Sequence, residues 1–91
     1  MKLNLPARVP NEGARRLAFY LNDKPGALGR FVRKAATSEM MVQRLINGDV
    51  IPDADMAKAI YLATDCAVWS RHWTFRPEGG WFDRPVLRAA A

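Results

Sequence analysis

Near the middle of the chain only a few residues separate two apolar helical patterns, and that short gap limits what the chain can become. In "GALGRFVRKAA", Leu28, Phe31, Val32 and Ala35 recur at the three-and-four spacing of one helix face, with Arg30, Arg33 and Lys34 on the other. In "TSEMMVQRLINGD", Val42, Leu45 and Ile46 form the inward face. Ser38 is placed to cap this second helix, and Asn47-Gly48 to stop it, since both residues tolerate the left-handed conformation of a helix end. Ala36-Thr37 must therefore turn one helix directly into the next. Phe31 and Val32 can then pack against Val42 and Leu45, leaving Glu39, Met40, Gln43 and Arg44 pointing outward.

Two more helical patterns flank this pair. "NEGARRLAFYLN" brings Ala14, Leu17, Ala18 and Leu21 onto one face, with Asn11 as N-cap and Glu12 at the positive end. Pro25 in "NDKPG" ends it. "PDADMAKAIYLAT" starts with Pro52 in its first turn and Asp53 and Asp55 at its positive end, turns Met56, Ala59, Ile60 and Ala63 inward, and offers Asp65 as a left-handed stop. The tail differs. "HWTFR" and "WFDRP" around "PEGG" read as two short extended pieces or a β-hairpin, with Trp73 and Phe75 alternating with Thr74 and Arg76 as in a half-buried strand. The tail aromatics Trp69, Trp73, Phe75, Trp81 and Phe82 either close the molecule's own core or form a partner surface, most simply for a second copy of the chain.

The expected fold is thus mainly α: four or five short helices with a central helix-turn-helix, plus a short extended or β-hairpin C-terminal tail. A chain of 91 residues is one domain, with a modest core and little room for a large enclosed pocket. Residues 1–10 read as a flexible N-terminal arm because of Pro6 and Pro10, residues 11–68 as the helical domain, and residues 69–91 as the aromatic tail. No apolar run approaches the ~18 residues of a membrane span, and the first residues lack the apolar segment of a secretory signal. One cysteine excludes an internal disulfide and fits a reducing, cytoplasmic setting.

Charge sharpens the functional reading. The net charge is +5, distributed unevenly along the chain. Residues 24–48 hold Lys24, Arg30, Arg33, Lys34 and Arg44 against Glu39 alone, whereas residues 49–68 hold Lys58 against Asp49, Asp53, Asp55 and Asp65. A basic middle attracts phosphate backbones. An outward helix face with Glu39, Met40, Gln43 and Arg44 suits base edges: Arg to guanine, Gln to adenine, Glu to the cytosine amine, Met to a thymine methyl. Arg30, Arg33, Lys34, Ser38 and Asn47 are the candidates for the DNA backbone. Cys66 and His72 are too few to build a metal site, and a buried free thiol with an exposed histidine is expected instead. No cofactor, metal or catalytic residue is expected, and the chain reads as a non-enzyme.

The stretch "LGRFVRKAATSEMMVQRLINGDVIPD…AIYLAT" resembles the helix-turn-helix of small phage Cro-type and YdaS-type regulators, of lambda-repressor-like fold. The shared features are Ser38 opening the recognition helix, Leu45-Ile46-Asn47-Gly48 closing it, the Ile51-Pro52 step, and Ala63-Thr64 ending the following helix. Val68, Arg71-His72 and Phe75 to Glu78 echo the family's continuation, so the resemblance covers roughly residues 14–78. Where the family often has a glutamine, a small alanine, a turn glycine and two further glycines, this chain has Leu28, Val32, Ala36 and Asp65-Cys66. The resemblance implies a sequence-specific double-stranded DNA-binding transcriptional regulator, a Cro-like repressor of phage or prophage type. Its recognition helix, Ser38 to Asn47, would enter the major groove, and a homodimer is the expected form. The alternative is an antitoxin or protein-interaction module, in which the same core and the aromatic tail bind a toxin or other protein partner.

Overall fold

The computed structural model describes residues 3–85, so the ends of the arm and of the tail lie outside the described residues. Four α-helices follow in order: α1 (Glu12–Asp23), α2 (Ala27–Lys34), α3 (Glu39–Asn47) and α4 (Ala54–Ala63). The molecule is mainly α, and no strand occurs among the described residues. Each helix starts or stops where its local chemistry requires. Asn11, Ser38 and Asp53 accept hydrogen bonds from the backbone N–H groups of Ala14, Met41 and Met56, satisfying donors that a helix start leaves open. Gly48 ends α3 at φ 80°, and its N–H reaches back to the last turn.

The apolar faces meet in one core. Ala14, Leu17, Ala18 and Leu21 of α1 pack with Phe31 of α2 and with Val42, Leu45 and Ile46 of α3. On α4 the buried residues are Ala57, Ile60 and Ala63, while Met56 and Ala59 are only half-buried. Ala57 was not among the expected inward residues; the helix is rotated slightly from the face that its sequence pattern suggests.

The tail departs from the extended reading. Ser70–Thr74 forms a short 3₁₀ helix rather than a strand. The Trp69 N–H donates to His72 Nδ1 at 2.9 Å, and the His72 N–H donates to the Trp69 carbonyl at 3.0 Å, so local bonds replace the cross-strand ladder a hairpin would need. The turn lets Trp73, 2 % exposed, lie flat on Gly13 of α1. A Cβ added at Gly13 would stand 2.3 Å from the indole, so only glycine admits this contact. Trp73 thus closes the core. Trp69 and Trp81 are half-buried, and Phe75 and Phe82 are exposed.

Glu12, expected only as a favourable charge at a helix start, clasps the tail to α1. It is fully buried, and its carboxylate accepts from Arg15 Nε and Nη2 (both 2.8 Å), Arg16 Nε (2.7 Å) and the Glu78 N–H (2.8 Å). The Glu12 N–H donates to the Phe75 carbonyl at 3.0 Å, and Arg15 Nη1 donates to the Asp83 carbonyl at 2.7 Å. A buried carboxylate is costly unless its lone pairs are filled, and here they are.

The expectation for Cys66 and His72 is reversed: the thiol is exposed and the imidazole is buried. Asp65 (φ 54°) and Cys66 (φ 69°) both take left-handed backbone in the turn after α4, which carries Cys66 outward. His72 fills the gap between the Trp69 and Phe75 rings, with centroids 6.2 and 6.3 Å away. A hydrogen-bonded imidazole between two rings is well placed inside, whereas the thiol at the turn tip faces solvent beside the Tyr61 hydroxyl.

Candidate nucleic-acid interface

The four residues from Ala35 to Ser38 join α2 to α3. Ala36 turns the chain at φ 53°, its N–H donating to the Arg33 carbonyl (3.3 Å) and that of Thr37 to the Val32 carbonyl (3.1 Å). That pair of bonds closes α2 and directs the chain straight into α3. Ser38 Oγ accepts from Met41 N at 3.1 Å and keeps its own hydroxyl hydrogen for another acceptor.

With Val42, Leu45 and Ile46 buried, the opposite crest of α3 carries Met40, Arg44 and Asn47, all exposed. Met40 is 72 % exposed. Glu39 and Gln43 are half-buried on one flank of the crest. Glu39 borders an open cavity of about 910 Å³ together with Leu3, Leu5, Trp81 and Phe82. Thus, of the four residues expected to read bases, Met40 and Arg44 stand on the crest, and Glu39 and Gln43 stand beside it.

Gln43 is occupied by the N-terminal arm. Its Oε1 accepts from the Asn4 N–H at 2.9 Å, and its Nε2 donates to the Asn4 carbonyl at 2.7 Å and to Asn47 Oδ1 at 2.9 Å. The amide pairs with Asn4 as one strand residue pairs with another. The arm is held at two further points. The Trp81 indole N–H donates to the Pro6 carbonyl at 2.8 Å, and Pro10 lies against Gly48, where an added Cβ would come within 2.5 Å of its ring. The described part of the arm lies across one flank of α3. Asn4 and its pairing carry no sequence signal, because the two residues are far apart in the chain and neither belongs to a motif.

The basic residues sit on the exposed side of α2. Arg30, Arg33 and Lys34 are all exposed, and Arg30 Nη1 donates to the Pro25 carbonyl at 3.3 Å. Arg33, Lys34 and Arg44 form no ion pair among the described residues. Among the described residues no group of three His, Cys, Asp or Glu could hold a metal ion, and no helix is long and apolar enough to cross a membrane.

No protein-family model, curated protein or solved structure matches the chain.

Proposed function

We propose that the chain is a sequence-specific double-stranded DNA-binding regulator, of the Cro-like type that its sequence resembles, acting in the cytoplasm. The observation that carries this reading is the crest of α3. A capped helix presents Met40, Arg44 and Asn47 to solvent directly after a helix whose exposed side holds three basic residues. In the major groove, Arg44 would bond a guanine edge and Met40 would touch a thymine methyl. Arg33 and Lys34 would neutralise phosphates, and Ser38 with the N-terminus of α3 would take another phosphate oxygen. Gln43 would have to release Asn4 before reading an adenine.

A second reading, a protein-interaction module or antitoxin, draws on the exposed Met40 and on the open cavity beside Glu39. Salt separates the two, because phosphate contacts lose affinity steeply with ionic strength and apolar contacts do not. After selection of a preferred duplex from random DNA, Arg44→Ala should lower affinity for it by roughly 1–3 kcal/mol and relax one base preference. Arg33→Ala should weaken all sequences alike and reduce the salt slope by about one. Salt-insensitive binding, equal in both variants, would sink the DNA reading.

A further inference from the structure

Gln43 already uses the groups it would need for a base. A glutamine reads adenine by donating an N–H to N7 while accepting from the N6 amine. Both hydrogens of Gln43 Nε2 go to oxygen, one to the Asn4 carbonyl at 2.7 Å and one to Asn47 Oδ1 at 2.9 Å. Its Oε1 accepts from the Asn4 N–H at 2.9 Å. Only backbone groups of Asn4 enter this pairing. Its side-chain amide bonds to none of the described residues, and Asn4 is exposed.

The course of the arm sets where that amide points. The N–H and carbonyl of Asn4 reach the same side chain, as in extended backbone, where successive side chains alternate. Leu3 and Leu5 both line the open cavity beside Glu39, so Asn4 between them turns away from it. Next to Gln43 on the side away from that cavity stands the crest, beginning with Asn47, to which Gln43 is bonded. An asparagine amide offers together the donor and the acceptor that adenine N7 and N6 require. We infer that, on the DNA reading proposed above, the adenine beside the crest is read by Asn4, and that Gln43 is the positioning residue that holds it there. The arm then stays on α3 in the complex and supplies one of its base contacts.

Asn4→Ala separates the two roles, because alanine keeps both backbone bonds to Gln43 and removes only the side-chain amide. A fluorescent duplex selected from random DNA by the full chain is titrated by anisotropy, alongside duplexes in which each A·T pair in turn is exchanged for G·C. Asn4→Ala should reduce the preference for adenine at one position roughly tenfold or more, with thermal unfolding unchanged. Asn4→Asp should move that preference toward cytosine, whose N4 amine donates to a carboxylate. Gln43→Ala should weaken the same preference, and should remove nothing further in the Asn4→Ala background. Deletion of residues 1–7 should reproduce the loss seen in Asn4→Ala. A preference kept in Asn4→Ala and lost in Gln43→Ala would return the contact to Gln43 and overturn the inference. Tighter binding after the deletion would overturn it too, by marking the arm as a strap over the crest. If the full chain binds no duplex in a salt-dependent way, the DNA reading itself fails and takes this assignment with it. That result is distinct from the others, since the parent chain then has no preference for a variant to lose.

Discussion

Ala36 is where one residue's backbone decides how two helices meet. Its φ of 53° falls in the left-handed region, where a Cβ crowds the neighbouring carbonyl. The turn holds because α2 closes on it through two backbone hydrogen bonds and α3 opens behind it with Ser38. Ala36→Gly should therefore raise stability by about 0.5–1 kcal/mol, the relief at a left-handed site exceeding the entropy that glycine adds to the unfolded chain. The check is a denaturant midpoint that rises at unchanged slope. Residue chemistry of this kind is legible in sequence, because the alanine stands between two recognisable helix ends. The left-handed turn at Asp65-Cys66 was half legible: Asp65 reads as a stop, and Cys66 gives no such signal.

At the scale of elements, the arm and α3 behave as a pair. Gln43 ties them through its amide, Pro10 seats on Gly48, and Trp81 holds Pro6 from the other side. Hydrogen bonds at a partly exposed site are each worth about 1 kcal/mol net. Gln43→Ala should lower the stability of the full chain by about that amount, and should cost almost nothing once residues 1–7 are deleted, because Asn4 is then gone. A double-mutant cycle in urea measures the coupling directly. If Gln43→Ala costs the same in both backgrounds, the arm does not engage α3. The arm also bears on the proposed DNA reading, because it occupies one flank of the crest and leaves Met40, Arg44 and Asn47 as the accessible part.

For the whole molecule, the decisive feature is the clasp of the tail on the start of α1. Trp73 lies on Gly13, Glu12 gathers two arginines and the Glu78 N–H, and His72 is buried beside them. Burial holds His72 down to about 4, helped by the positive charge of Arg16 and Arg71 and opposed by Glu12 and Glu78. Burial pushes the Glu12 carboxyl up, but the hydrogen bonds from Arg15, the Glu78 N–H and Arg16 outweigh it and leave the group below its ordinary value. Both groups act with one sign. Between the ordinary histidine value of 6.5 and about 4, the unfolded chain takes up a proton that folded His72 refuses, so stability falls as the pH falls. Below 4.5, the unfolded chain protonates Glu12 before the folded one does, and stability falls further. These two groups leave the melting temperature level above pH 6.5 and lower it below that value. His72→Gln should flatten the limb between pH 6.5 and 4 and leave the steeper one beneath. An unchanged upper limb in that variant would show that His72 is not the group that titrates there.

The sequence alone determined the four helices, their caps and most of their inward faces. Those follow from apolar spacing and from end-capping chemistry, and both act within a few residues. It also determined that the outward side of "TSEMMVQRLINGD" is a surface rather than part of the core. Only the tertiary structure decided that Ser70–Thr74 turns instead of extending, that Cys66 faces out and His72 in, and that the arm lies across α3 on Gln43. Trp73 and Gln43 each depend on a partner far along the chain, Gly13 and Asn4. A local pattern cannot name such a partner, because packing selects it only after the helices have come together.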